Sequence, residues 1–251
     1  FSDTEQTNNT WYQWTTTDGG AMTRSKTTPY TYNASDTYLK IEKDTTHIHT
    51  ICGKDSCSSD HDKDGVTDAH SGTEFEAWNG IDMDANTDGR QLTNGSYYLS
   101  SDVTIGSTVI ITGTVNLCLN GYALKYENGN VNVNGSVIQV NAGATLNLCD
   151  CNGSNSSHTI TAPITGEAVT ITGGLITGGT GTIHTTQYCG GGIYVLGTMT
   201  EGAVTAGVVN QYGGTIAENT AKWGGGVAVI DGVYSMFGGR IAYNKASLGG
   251  G

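Results

Sequence analysis

The sequence has little proline and little positive charge, and it contains no long apolar run. Its 2 prolines accompany 38 glycines in 251 residues, and the glycines follow no Gly-X-Y period, which excludes a collagen-like triple helix. Lysine and arginine total 11 against 23 acidic residues, so no basic patch is present to bind nucleic acid. No segment reaches the roughly 18 apolar residues of a membrane-spanning helix. These absences leave a non-collagenous, acidic chain with no membrane span in this segment.

The C-terminal third of the chain repeats itself. Residues 213–221 (GGTIAENTA) align without a gap with residues 238–246 (GGRIAYNKA), and a glycine triplet follows each of them at the same distance. The units contain short strands between glycine-rich corners, and such strands bury an apolar face only when successive units stack. We therefore predict an all-β fold, a right-handed parallel β-helix (a solenoid) over residues 96–251. We expect it to be truncated at its C-terminal end.

The repeat places particular side chains at equivalent positions. Asn219 and Asn244 are equivalent, which predicts a structural ladder of amides that hydrogen-bond from one coil to the next. The same alignment places Val208 opposite Val233, and we expect both valines to point into the core. Both expectations follow from stacking identical positions about 4.8 Å apart.

Two cysteines also lie at equivalent positions of a looser repeat. Cys118 and Cys149 end the similar segments 114–118 (TVNLC) and 145–149 (TLNLC). This equivalence predicts either reduced thiols stacked towards the interior or a disulfide between adjacent coils.

The N-terminal part of the chain has a different character. Residues 1–46 are rich in threonine and aromatic residues, and residues 47–95 hold clusters of histidine, cysteine and aspartate. We interpret the second segment as a metal or disulfide capping module, because the open end of a β-helix is an unpaired edge that needs a cover. Aromatic side chains bind glycans or partner proteins when exposed, or pack internally. The candidates for a contact surface are Trp11, Tyr12 and Trp14.

The densest group of soft metal ligands opens the capping module. It consists of His47, His49, Cys52, Cys57 and His61, with His70 following. Histidine and thiolate ligands suit tetrahedral Zn²⁺, and the last four of the five would form a closed structural site. The alternative is a disulfide between Cys52 and Cys57, which an oxidising exterior favours.

An acidic stretch overlaps this group and has part of the pattern of a calcium loop. Alternating carboxylates with a glycine at the sixth position bring hard oxygen ligands around one Ca²⁺ ion. The glycine is Gly65, whereas Ser71 stands where a calcium loop has its bidentate glutamate. The candidate calcium ligands are Asp60, Asp62, Asp64 and Asp68; the alternative is a solvated acidic turn.

Several short segments carry a family resemblance. They are residues 75–80 (FEAWNG), 97–104 (YYLSSDVT), 116–121 (NLCLNG) and the glycine-rich 238–241 (GGRI). With them the chain resembles secreted, cell-surface repeat proteins of gut-type Gram-positive bacteria, and it is more loosely similar to polymorphic outer-membrane adhesins. The resemblance implies a pectate-lyase-like right-handed β-helix, an extracellular location, and no assigned activity.

The repeats suggest a structural role more than a catalytic one. Polysaccharide hydrolysis needs two carboxylates at a set separation, and elimination needs a basic residue near bound calcium. The acidic and basic residues after residue 100 form no such pattern. We expect a non-catalytic adhesin or stalk that binds a glycan, a surface protein or copies of itself. The alternatives are a subunit of a self-assembling extracellular fibre, or a polysaccharide-active enzyme whose catalytic coils follow residue 251.

Overall fold

A computed structural model gives the structure of the chain, which contains two compact units, Phe1–Thr46 and His47–Gly251. Every regular element in the described part is a β-strand, so the prediction of an all-β chain is confirmed. No helix there is long and apolar enough to cross a membrane. The described residues are 11–16, 23–27, 38–43, 47–61, 63–78, 85–86, 89–129, 134–154 and 156–249.

The strands are short, as expected for residues that alternate between apolar and polar and are punctuated by glycine. In chain order they are β1 (Trp11–Thr16), β2 (Thr23–Thr27), β3 (Tyr38–Lys43), β4 (His47–His49), β5 (Thr73–Trp78), β6 (Ala85–Asn86), β7 (Gly89–Leu92), β8 (Gly95–Leu99), β9 (Val103–Ile105), β10 (Val109–Ile111), β11 (Thr114–Cys118), β12 (Ala123–Tyr126), β13 (Ile138–Val140), β14 (Thr145–Cys149), β15 (Ser157–Thr161), β16 (Ala168–Thr172), β17 (Leu175–Thr177), β18 (Thr182–His184), β19 (Gln187–Cys189), β20 (Ile193–Thr200), β21 (Ala203–Ala206), β22 (Val208–Gln211), β23 (Thr215–Ile216), β24 (Thr220–Trp223), β25 (Val227–Ile230), β26 (Val233–Met236), β27 (Arg240–Ile241) and β28 (Lys245–Leu248).

The first unit contains an antiparallel three-stranded sheet. Its order is β2-β1-β3, with the central β1 paired to both neighbours along its length. The candidate contact residues Trp11, Tyr12 and Trp14 all lie on β1. Their role at a contact surface stays a prediction.

The second unit is built mainly from three parallel sheets. The first sheet has the order β26-β22-β14-β11-β8-β5-β4, the second β27-β23-β17-β12-β9, and the third β21-β20-β13-β10-β7-β6 with β25 beside β20. The chain visits the sheets in a fixed sequence, with β8, β9 and β10 followed by β11, β12 and β13. Each visit adds a strand next to its predecessor, and none of the sheets closes on itself.

Three antiparallel hairpins interrupt this sequence. The pair β15–β16 lies between a strand of the first sheet and one of the second, and the pair β18–β19 lies between the second and third sheets. The third hairpin extends β20 of the third sheet through β21 before the chain returns to the first sheet. After each hairpin the chain continues to the next sheet in the same order.

The core lies between the three sheets and consists of stacked aliphatic side chains. In the third sheet Val109 pairs with Ile138, which pairs with Ile193, and all three are fully buried. Burial of each such side chain contributes about 1.5–3 kcal/mol to folding, relative to leaving it exposed. The stacked core therefore favours one register, since a slip by one residue would turn apolar side chains outward.

The expected inward position of two valines is wrong. Val208 does pair with Val233, but Val233 is 45% exposed, and the neighbouring Val209 is fully buried in the core. Tyr234, opposite Val209, packs against that core. Strand β22 begins with two valines, so alternation of residue type alone does not distinguish the inner face from the outer one.

The asparagines at the bends form a buried amide ladder. Asn219 Nδ2 donates to Asn244 Oδ1 at 3.0 Å, and both side chains are almost fully buried. The residue before each asparagine, Glu218 or Tyr243, has a φ in the left-handed region, at 54° and 55°. Asn219 also accepts a bond from the amide of Gly179 at 2.9 Å. Backbone amides and carbonyls at a bend have no partner in a sheet. The side chains of the ladder supply hydrogen bonds to these groups.

We predict that Asn219→Ala lowers the free energy of unfolding by about 2–3 kcal/mol, because the amide of Gly179 and the carbonyls bonded by Asn219 lose a buried partner. The matched control is Asn210→Ala, which removes a half-buried amide bonded to Asn147 and should cost about 1 kcal/mol or less. Urea denaturation of each variant measures the difference. Equal losses would contradict the structural importance of the ladder at Asn219.

Candidate metal centre

A segment that lies outside the three sheets, apart from its first strand β4, covers the ends of strands of the first sheet. We call residues 47–72 the strap. It crosses a row of side chains that stack from strand to strand at the end of this sheet, here called the edge row: Tyr98, Cys118, Cys149, Tyr212 and Phe237. The strap approaches the row closely at Gly53, whose φ is +82° and where an added Cβ would lie 3.4 Å from the Cβ of Cys149.

The edge row faces away from the main core. Cys118 and Cys149 pair in register and are fully buried, but they belong to a small cluster with Phe75, whereas Leu117 and Leu119 belong to the core between the sheets. We expected these cysteines to point into the core between the sheets, and this expectation is wrong, because they point to the opposite side of the first sheet. They are buried because the strap and β5 cover them.

Two groups of potential metal ligands occur along the strap. The clasp group joins two histidines of β4 to two cysteines of the first sheet region: His47, His49, Cys118 and Cys151. The loop group lies entirely within the strap: Cys52, Cys57, His61 and His70. In each group the four ligand atoms lie within 4.8 Å of one another. Both sets have the two-histidine, two-cysteine composition of structural zinc sites.

The clasp group has well-defined geometry. His47 Nε2 lies 3.1 Å from His49 Nε2, the sulfurs of Cys118 and Cys151 are 3.4 Å apart, and Cys151 Sγ lies 3.4 Å from His47 Nε2. The ring of His47 stacks on Tyr98 of the edge row, with centroids 4.2 Å apart. Strand β4 supplies the two histidines, and the end of β11 and the turn after β14 supply the two cysteines. These three elements bring the four side chains together.

The protonation of the clasp group reflects its burial and its neighbours. Burial alone would lower the pKa of His49, but bonds with Cys151 and with the carbonyl of Thr50 raise it above its usual value. The pKa of Cys118 is raised, first by its hydrogen bond with Cys149 and further by burial, although Cys151 acts in the opposite direction. Its bond with Cys118, together with burial, raises the pKa of Cys151 to about 11. Without a cation, both thiols are therefore neutral at pH 7.

The loop group is held by the fold of the strap itself. Cys57 and His70 form an isolated antiparallel bridge, and Cys57 Sγ lies 3.0 Å from His61 Nε2. The rings of His61 and His70 stack with centroids 5.3 Å apart, and both contact Tyr212 of the edge row. Nδ1 of His70 is buried without a hydrogen-bond partner. A bound cation at that nitrogen would remove the cost of this unpaired group.

The two thiols of the loop group differ in acidity. Burial raises the pKa of Cys52. Burial acts in the same direction on Cys57, but the amide of Ser59, Cys52 and His61 lower its pKa to about 7. Burial and the charge of His61 lower the pKa of His70. A thiolate at Cys57 beside a neutral His70 is the protonation state that a zinc ion binds.

The structure distributes the sequence-predicted zinc ligands over both groups. His47 and His49 lie in the clasp group, whereas Cys52, Cys57 and His61 lie in the loop group. The predicted closed set was His49 with Cys52, Cys57 and His61. In the structure His70, and not His49, is the fourth ligand beside those three residues. Cys118 and Cys151 were not predicted as ligands. The only signal in the sequence was the Cys-x-Cys pattern that Cys151 forms with Cys149.

All six cysteines, including Cys52 and Cys57, are free in the structure. Neither the predicted alternative of a Cys52–Cys57 disulfide nor that of a bridge between Cys118 and Cys149 is formed. Sulfurs of both ligand groups instead lie within reach of histidine nitrogens.

The acidic loop uses its carboxylates to hold its own backbone. Asp60 accepts bonds from the amides of Asp64 and Gly65, and Asp68 accepts one from the amide of His61 at 2.8 Å. Asp62 lies outside the described residues. Within the described part of the chain, the aspartates belong to neither group of clustered ligands. These bonds are those of a compact turn, and calcium binding stays a prediction.

Comparison with family models, with curated proteins and with solved structures finds no match for this chain. The interpretation of both ligand groups therefore depends on their own geometry and chemistry.

We predict that, in metal-free protein, alkylation by iodoacetamide modifies Cys57 before Cys52. With a pKa of about 7, Cys57 is about half thiolate at neutral pH, and its rate should rise through pH 7 and level off above it. The raised pKa of Cys52 keeps that thiol protonated under the same conditions, which makes it an internal control. Peptide mass spectrometry across pH 6–9 measures both rates. Faster labelling of Cys52 at pH 7 would contradict this assignment.

Proposed function

We propose that the chain is a rigid, non-catalytic module of an extracellular adhesin or stalk, in which a zinc ion at the loop group folds the covering strap. We further propose that the three parallel sheets are the faces of a right-handed parallel β-helix. The protein would be secreted or displayed on the cell surface, as the family resemblance implies. Its partner would be a glycan or a surface protein.

The order in which the chain visits the three sheets supports the β-helix. Strands of successive visits pair in parallel with equivalent residues opposite each other, as Val115 with Leu146 and Leu146 with Val209. Connections between parallel strands are right-handed in almost all proteins. A stack of this kind transmits force along its length through backbone hydrogen bonds, which suits a spacer.

The chemistry of the loop group supports zinc as its ligand. Two sulfurs and two imidazole nitrogens make a closed set that leaves no position for a substrate, which is typical of structural sites. Cys52 and Cys57 are buried, and the unpaired Nδ1 of His70 needs a partner. When bound, the zinc ion would act as a cross-link, and the thiols would lose their protons to it.

The observation that carries the structural role is that the four loop ligands all come from one short stretch of the strap, between Cys52 and His70. A segment this short, whose described residues between those two form no regular strand, has few apolar groups to hold it together. Metal binding supplies the missing folding free energy in such segments. The ion therefore maintains the cover on the edge row.

We predict that full-length protein purified with zinc resists trypsin at Lys54 and Lys63, two exposed residues of the strap, and becomes cleavable there after chelation. Cys57→Ser should remove one zinc ion per chain and expose the same two bonds, because the loop group loses a ligand. The matched control is Cys189→Ser, a buried cysteine outside both groups, which should keep the metal content of the wild type. Elemental mass spectrometry and peptide mapping measure both effects. Unchanged metal content in Cys57→Ser would refute zinc at the loop group.

We also predict that the zinc-loaded chain does not depolymerise pectin, mucin glycans or peptidoglycan. Reducing-end and unsaturated-product assays against these polysaccharides measure this, with a commercial lyase as the positive control. Turnover that survives repurification would overturn the non-catalytic role, whatever the metal content of the protein.

A further inference from the structure

The clasp group lies at a second place along the strap, and its ligands come from distant parts of the chain. His47 and His49 belong to β4, Cys118 ends β11, and Cys151 follows β14. We propose that the clasp group is a second zinc site, and that its ion fastens the strap to two successive strands of the first sheet. It uses different residues from the loop group, so either site can fail a test without the other.

The distances between the ligand atoms fit a tetrahedral zinc ion. At zinc bond lengths of about 2.3 Å to sulfur and about 2.0–2.1 Å to nitrogen, ligand atoms lie roughly 3.3–3.8 Å apart. The clasp group has 3.1 Å between nitrogens, 3.4 Å between sulfurs and 3.4 Å between Cys151 Sγ and His47 Nε2. These three distances are close to the tetrahedral values, and the remaining pairs of ligand atoms lie within 4.8 Å of one another. An ion would lengthen these three distances by at most a few tenths of an ångström.

The surroundings of the clasp group favour metal-binding forms of its histidines. Nδ1 of His49 lies 2.5 Å from the carbonyl of Thr50, and a nitrogen that donates to a carbonyl must carry the proton. That bond directs the lone pair of His49 Nε2 towards His47 and Cys151. Metal-binding histidines almost always donate a bond from the second ring nitrogen to a carboxylate, a backbone carbonyl or water, which fixes the orientation of the ring.

Aromatic rings cover one side of the clasp group, and solvent reaches another side. Phe75 packs against His49 with ring centroids 4.1 Å apart, and Tyr98 stacks on His47. Cys118 and His49 are buried, whereas Cys151 stays partly accessible. Water is therefore largely excluded from two ligands, while Cys151 is the cysteine that an incoming ion can contact from solvent.

The spacing of the ligands gives this site a different role from the loop group. The loop ion closes a loop within the strap, but the clasp ion joins the strap to β11 and to the turn after β14. Its four ligands meet only when these strands are stacked and the strap lies across them. Occupancy of the clasp site therefore depends on the assembled sheet, and zinc binding there stabilises the assembled state.

The test uses full-length protein loaded with zinc, and separately with Co²⁺, whose visible spectrum reports tetrahedral thiolate coordination. We expect about two ions per chain in the wild type, about one in Cys151→Ser, about one in Cys57→Ser, and none in the double variant. Cys189→Ser is the control and should keep both ions. A count in Cys151→Ser equal to that of the wild type would overturn the proposal, whereas a count in Cys57→Ser equal to that of the wild type would count only against the loop group.

A second measurement on the wild type does not depend on the folding of a variant. The zinc-loaded chain is alkylated with and without a chelator, and the modified cysteines are mapped by mass spectrometry. We expect zinc to protect Cys151, the accessible ligand, and chelation to expose it. Equal labelling of Cys151 in both states, or a disulfide between Cys118 and Cys151 in the zinc-loaded chain, would refute the clasp site. Protection of Cys57 in the same experiment reports the loop group separately.

Discussion

The in-register pairing of parallel strands is the constraint on which the second unit depends. Backbone amides and carbonyls of one visit to a sheet bond to those of the next, and buried groups left unpaired would each cost about 1–3 kcal/mol. Register in turn aligns equivalent side chains, which produces the aliphatic core, the amide ladder and the edge row. The clasp group exists because the edge row places Cys118 where the strap crosses, and the loop group lies against the aromatic ring of Tyr212 in the same row.

Two sets of buried polar groups in this unit find their partners in physically different ways. The bends use amide side chains, which are neutral and donate and accept at once, so that a stack of Asn219 and Asn244 needs no counterion. The strap buries imidazoles and thiols. These groups form hydrogen bonds to one another, but His70 keeps an unpaired nitrogen. A divalent cation would satisfy them more completely than they satisfy each other, which is why we propose metal binding in the strap and not at the bends.

The sequence predicts features that depend on local pattern and misses those that depend on chain path. The repeat alignment correctly pairs Val208 with Val233, but two adjacent valines conceal which one is buried. The local concentration of histidine and cysteine indicates metal ligands. It does not indicate that His49 and Cys151, far apart in the chain, belong to one group, because that follows from where the strap crosses the edge row. The composition of a segment predicts which residue types bind a metal. Which residues share one ion depends on how the chain folds back on itself.

Two of the three hairpins have a consequence for how this fold tolerates change. The pairs β15–β16 and β20–β21 leave the stack between two sheets, after which the chain continues to the next sheet in the usual order, whereas β19 of the remaining hairpin pairs in parallel with β24 and so belongs to a further stacked sheet. Added length at these positions is therefore uncoupled from the register of the core. A foreign peptide inserted at the turn between β15 and β16 would project from the stack without altering it, so these corners are places where such a scaffold acquires new surface while its interior stays constant.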